Sequence, residues 1–195
     1  MKTLQYALYT VAAIVGLFFL AGLLKSSVSY GHEVTVNKSI EEAWAVSQDE
    51  SKYSQWLEGF QSIELISGEK GAVGSKYKIV VDPGDGQDLF EMVETVVSVK
   101  EFDHVSMEFD SEMMDFEQTM SFTKEGEQTR IKTESKVIGK SLGTRSMFAI
   151  MEMVLGAFTA QEAKNIEALK TLIENNVTNY SPLPSTAENA TEAMN

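Results

Sequence analysis

The sequence predicts an α+β fold: a curved antiparallel sheet of about seven strands laid against one long C-terminal helix and preceded by a membrane helix. Three observations predict it. Residues 143–176 carry apolar side chains at Met147, Met151, Val154, Phe158, Leu169 and Leu172, with Ile150, Leu155, Ile166 and Ile173 beside them. That is the spacing of one helical stripe. Ahead of it, short segments alternate apolar and polar residues between glycine-rich turns, as half-buried antiparallel strands do. At the N-terminus, residues 4–24 contain no charge and are flanked by Lys2 and Lys25.

In chain order, residues 4–24 make a helix about 31 Å long, matching a bilayer core of about 30 Å. The apolar run exceeds the usual core of a secretory signal, so the expectation is an uncleaved single-pass anchor over residues 1–28. Small residues at Ser27-Val28-Ser29 keep a cleaved signal as the rival reading. Lys2 and the α-amino group favour a cytoplasmic N-terminus and an extracytoplasmic soluble domain, while Lys25 and Lys38 oppose that orientation.

A first strand is expected at 29–36. Ser39-Ile40-Glu41-Glu42 has capping-box spacing, so a helix starts at Ile40 and carries Ala43, Trp44 and Val46. A helical turn at 52–57 holds Tyr53 and Trp56, and Gly59 breaks it. Strands follow at 61–67, 75–81, 89–100, 104–110, 114–123 and 129–138. The strand at 89–100 has no clean phase, which suggests a bulge. In the next strands Val105, Met107 and Phe109 share one face, as do Phe116, Gln118, Met120 and Phe122. In the long helix the first half is apolar all round, with Glu152 its sole charge. The second half offers Glu162, Lys164, Glu167, Lys170 and Glu174 to a wet face. The tail, 177–195, is polar with Pro182 and Pro184 and is expected to be disordered.

Composition excludes several functions. A formal net charge of −13 argues against nucleic acid as a partner. There is no cysteine and there are two histidines, so thiolate chemistry and a multi-histidine metal site are absent, and no cofactor is expected. Asp82, Asp85 and Asp88 lie among glycines but lack the spacing of a calcium loop, and read as a hairpin turn. Gly139-Lys140-Ser141-Leu142-Gly143 matches a nucleophile elbow, yet no histidine follows the serine to serve as its base. No catalytic residue is assigned.

The element order from Glu33 to about Asn176 resembles the START-like or SRPBCC superfamily, which includes polyketide cyclases/dehydrases and lipid-transport proteins and adopts the helix-grip fold. The resemblance rests on Asn37-Lys38-Ser39-Ile40-Glu41-Glu42-Ala43-Trp44 at the first helix. It rests also on Tyr53-Ser54-Gln55-Trp56 after Asp49-Glu50, and on the strand and glycines of 63–74. It implies one domain over 29–176 with an apolar cavity between sheet and long helix, holding a lipid, sterol-like or polyketide-like molecule. On that architecture the cavity residues are Met107, Phe109, Gln118, Met120 and Phe122 from the strands and Met151, Leu155 and Phe158 from the helix, with Trp56 near the mouth. The methionines suit a deformable wall. Gln118 offers a hydrogen bond to a ligand's polar end. The function expected is membrane-tethered binding or transfer of a lipophilic small molecule. Two alternatives remain open: a cyclase or dehydratase using Glu94, Glu152 or His104, and an interaction domain with a filled core.

Overall fold

The computed structural model describes residues 2–84 and 86–180. Helix α1 (Lys2–Leu24) precedes β1 (Val28–Val36), α2 (Ile40–Ser47), a 3₁₀ turn (Glu50–Lys52) and α3 (Tyr53–Trp56). Six strands follow: β2 (Phe60–Ser67), β3 (Lys76–Val81), β4 (Phe90–Lys100), β5 (His104–Asp110), β6 (Met114–Glu125) and β7 (Gln128–Gly139). They form one antiparallel seven-stranded sheet in the order β1-β7-β6-β5-β4-β3-β2. The chain then closes with α4 (Leu142–Ile150), a wide π turn (Met151–Leu155) and α5 (Ala157–Glu174).

Local chemistry explains the boundaries. Ser39 caps α2 by accepting from the Glu42 amide at 3.3 Å. Ser141, the serine of the elbow-like motif, does the same for α4 from the Thr144 amide, and Thr144 returns the bond to Ser141. That serine is a helix cap. The bulge expected in the fourth strand lies between Val96 and Ser98.

The long helix departs from expectation. Gly156 adopts a left-handed conformation (φ 58°, ψ 33°) and separates α4 from α5. The Glu152 carboxylate caps the new N-terminus, accepting from the amides of Phe158 (3.0 Å) and Thr159 (3.3 Å) and from the Thr159 hydroxyl. Apolar spacing runs unbroken through this point, so periodicity alone misses the break. The widened turn throws Met153, Val154 and Leu155 outward, 68, 72 and 72% exposed.

The core lies beneath the second half of α5. Ile166, Leu169 and Ile173 pack on Val34, Val36 and Ile131 of the sheet and on Trp44 and Val46 of α2. A smaller cluster of Val28, Val137 and Phe148 fixes α4 to the sheet end. Helix α1 packs its last turns on α4, where Gly22 permits close approach: a Cβ there would stand 2.6 Å from the Ser146 nitrogen. The rest of α1 is exposed and apolar. It is long and apolar enough to cross a membrane, a test that a signal sequence also passes. Of the expected tail, residues 181–195 lie outside the described residues. Tyr180 packs against the core and donates to Asp49 at 2.8 Å.

Candidate functional site

Between the first half of α5, α3 and strands β3–β6 the packing opens into a cavity of about 250 Å³. Its walls are largely apolar: Met107, Phe109, Phe116, Met120 and Phe158, with Trp56 from α3. Aromatic rings stack along one side, Tyr30 on Phe158 at 5.4 Å and Phe109 on Phe116 at 5.0 Å.

Two buried carboxyls border this space and differ in their surroundings. Glu162 is 7% exposed. It accepts from Gln118 Nε2 at 3.1 Å and from the Ser135 hydroxyl at 3.4 Å, with Thr133 also bonded to it. Burial raises its pKa, and the three donors oppose that rise. Glu94, on β4 opposite Phe109, is 8% exposed, and its carboxyl has no hydrogen-bond or ion-pair partner among the described residues. Burial first, and then the charge of Glu50, push its pKa up to about 7. The Nε1–H of Trp56 is fully buried and has no acceptor among the described residues. Tyr53 stands beside both, its ring 5.9 Å from that of Trp56. Its hydroxyl pKa is raised, chiefly by burial and then by Glu94.

The structure brings Trp56, Met107, Phe109, Gln118, Met120 and Phe158 together around the cavity. Three expected residues lie elsewhere. Phe122 packs in the filled core, 5.1 Å from the Trp44 ring. Met151 sits half-buried in the π turn, away from the cavity, and Leu155 points to solvent, because the turn rotates both off the helical stripe. Trp56 is a buried wall residue, 8% exposed. Glu162, expected on the wet face, is buried. It falls four residues after Phe158 and four before Ile166, so helical phase alone would have placed it inward. Glu152 is a helix cap at the edge. Asp85 lies outside the described residues, and among those described no three His, Asp or Glu side chains gather as metal ligands would.

An antiparallel sheet gripping a C-terminal helix over an apolar cavity is the helix-grip arrangement. Residues 27–174 match the family model described as polyketide cyclase / dehydrase and lipid transport, and the chain belongs to that family. Solved structures share the fold at low identity. Norcoclaurine synthase from Thalictrum flavum, in complex with dopamine and hydroxybenzaldehyde, is 15% identical with a TM-score of 0.56, over 82% of this chain and 94% of that one. A conserved protein from Geobacillus kaustophilus is 16% identical with a TM-score of 0.59, over 75% and 95%. The di-domain ARO/CYC BexL is 15% identical with a TM-score of 0.60, over 77% of this chain and 51% of that one. No protein of curated function matches the sequence.

Proposed function

We propose that the chain is a membrane-tethered container for a lipophilic small molecule, which it holds between the sheet and α5 and exchanges at the bilayer surface. The observation that carries this reading is the apolar cavity, left open where the same sheet and helix pack solidly one turn further on. Tethering is supported by α1 and by the exposed elbow Met153-Val154-Leu155. Burial works to raise the Glu152 carboxyl, but bonds from Thr159 and Phe158 and the charge of Lys25 outweigh it. That influence puts Lys25, the residue after α1, near the elbow. Three exposed apolar side chains beside the end of a membrane helix suit the interfacial layer.

In this reading the anchor and linker end where β1 begins at Val28, and the container takes in the packed residues as far as Tyr180. The test is binding of N-phenyl-1-naphthylamine, a neutral fluorescent probe, to the full chain in lipid nanodiscs, with empty nanodiscs as reference. Saturable, blue-shifted emission that is lost when the cavity is filled by Met107→Trp supports the container. Equal emission from empty discs, wild type and variant removes it.

Glu94 favours a second reading, a cyclase or dehydratase, because a buried carboxyl with pKa near 7 can give or take a proton. Turnover of a bound polyketide-like substrate, lost in Glu94→Gln while binding persists, distinguishes enzyme from carrier.

A further inference from the structure

We infer a second chemical site, on the face of the sheet turned away from the cavity. There Ser98, His104 and Asp103 form a nucleophile–base–carboxylate chain that hydrolyses short, neutral aryl esters. The site is independent of the container.

The bulge in β4 creates it. Ahead of the bulge, Glu94 and Val96 pair with Phe109 and Met107 on the cavity side of the sheet. The extra residue between Val96 and Ser98 reverses that phase. Val99 now shares the inner face with its partner Val105, and Ser98 turns outward opposite Ser106. An unbulged strand would turn Ser98 inward. Lys100 and His104 pair on the same outer face, one step along. The hairpin between them holds Phe102 at φ 60°, a left-handed backbone uncommon for a bulky side chain. Beyond that turn the Asp103 carboxyl lies against the ring of the next residue.

Two hydrogen bonds define the chain. Asp103 Oδ1 lies 2.6 Å from His104 Nδ1, and His104 Nε2 lies 2.9 Å from the Ser98 hydroxyl. A carboxylate only accepts, so Nδ1 carries the ring proton and Nε2 is left as an acceptor. Ser98 therefore donates to Nε2, the alignment of a base that takes a nucleophile's proton. Lys100 Nζ binds the other carboxylate oxygen of Asp103 at 2.8 Å. Bonds from His104 and then Lys100 hold the Asp103 carboxyl below its usual range, so it stays ionised. Ser106, the neighbouring hydroxyl, is engaged with Thr119 at 2.9 Å.

In the reaction Ser98 Oγ bonds to the ester carbonyl carbon while its proton passes to Nε2. The adduct collapses, the bond to the aryl oxygen breaks, and the phenol leaves with that proton. Water then attacks the acyl carbon and gives a proton to Nε2. Ser98 takes this proton back as the carboxylic acid departs, and nothing is oxidised or reduced. An open sheet face offers the tetrahedral oxygen little shelter, which confines the site to esters with a good leaving group. A groove beginning beside Ser98 has Val97, Ser106, Glu108 and Thr119 in its wall, with Glu117 and Glu134 further along. Its acids disfavour an anionic acyl chain.

The experiment gives para-nitrophenyl acetate to the full chain in zwitterionic nanodiscs and follows nitrophenolate release against empty discs. A parallel sample receives a biotinylated fluorophosphonate, and tandem mass spectrometry locates the modified residue. The expected result is saturable hydrolysis, phosphonylation on Ser98, and loss of hydrolysis once Ser98 is modified. Ser98→Ala should remove both signals, and His104→Gln should slow hydrolysis by about 100-fold or more. Ser121→Ala removes a hydroxyl directly across from His104 on β6 and should change nothing. Asp103 acts through the ring as a positioning residue, so Asp103→Asn should slow hydrolysis by about tenfold or more. Nitrogen NMR of the two histidines should show the His104 proton on Nδ1 in the wild type and displaced in Asp103→Asn, with Asp103→Glu restoring it. Wild-type hydrolysis no faster than in Ser98→Ala overturns the inference, as does phosphonate found only on other residues or an unchanged rate in His104→Gln. Phosphonylation of the wild type needs no variant, so a misfolded substitution cannot decide the outcome.

Discussion

The two halves of the sheet–helix interface are made by the same helix on the same sheet and have opposite characters. Under the second half of α5, Ile166, Leu169 and Ile173 are almost wholly buried against β1, β7 and α2. Under the first half, Phe158 and Glu162 border open space with Met107 and Phe109, and Gln118 reaches across to donate to Glu162 at 3.1 Å. One half supplies stability and the other is free to hold a guest. At one end α2 brings Trp44 and Val46 into the space between the sheet and α5, and at the other the cavity remains. The same contrast separates the carboxyls, Glu162 tied into the helix–sheet joint and Glu94 left bare on the far wall.

The largest expected effect breaks the filled half. Leu169→Ala should cost about 2–5 kcal/mol, measured by urea denaturation, because the side chain is fully buried and its neighbours cannot all collapse into the gap.

Next comes Glu94. Its folded pKa, about 7, lies above the ordinary carboxyl value of 4.5. A raised folded pKa means that the folded state holds the proton more tightly. The associated stability is complete below about pH 4.5 and is lost as pH rises through about 7. The groups facing it, Glu50, Tyr53 and Tyr77, supply no positive charge to offset this. Glu94→Gln should therefore stabilise the fold by roughly 1–3 kcal/mol at pH 8 and by much less at pH 4.5. Urea midpoints measured across that range check the sign, and a variant less stable at pH 8 than the wild type would contradict it.

The smallest effect is at the elbow. Leu155→Trp and Leu155→Ser should each change stability by less than about 0.5 kcal/mol, since the side chain is exposed. Leu155→Ser should nevertheless slow transfer of a bound fluorescent probe from the tethered chain to added vesicles. A large loss of stability in either variant would place Leu155 in a core and undo the helix break at Gly156.

The strands were legible because three of them alternate readably, as in Val105, Met107 and Phe109, and because glycine and proline mark the turns. The capped helix starts at Ser39 and the bulge in β4 were legible for similar local reasons. The break at Gly156 was not. Apolar residues continue through Met151–Leu155, and what ends the helix is a left-handed glycine with a carboxylate folded back on the next turn. The site was legible in its apolar wall and obscure in its acids. Glu94 sits in a strand whose phase is blurred by the bulge, and Glu162 was judged by its charge when its phase pointed inward. Glu162 is buried because three donors from two strands receive it, a long-range arrangement that spacing along the chain does not reveal.

The central claim is that half of this interface is a container. Native mass spectrometry of the full chain released from nanodiscs, with Met107→Trp in parallel, tests it most directly. The account predicts that the wild type carries a neutral organic adduct, and that Met107→Trp loses the adduct while its stability stays within about 1 kcal/mol of wild type, since the new ring enters empty space. A wild type without any adduct, combined with a Met107→Trp variant destabilised by about 1–3 kcal/mol or more as in a packed core, would contradict it.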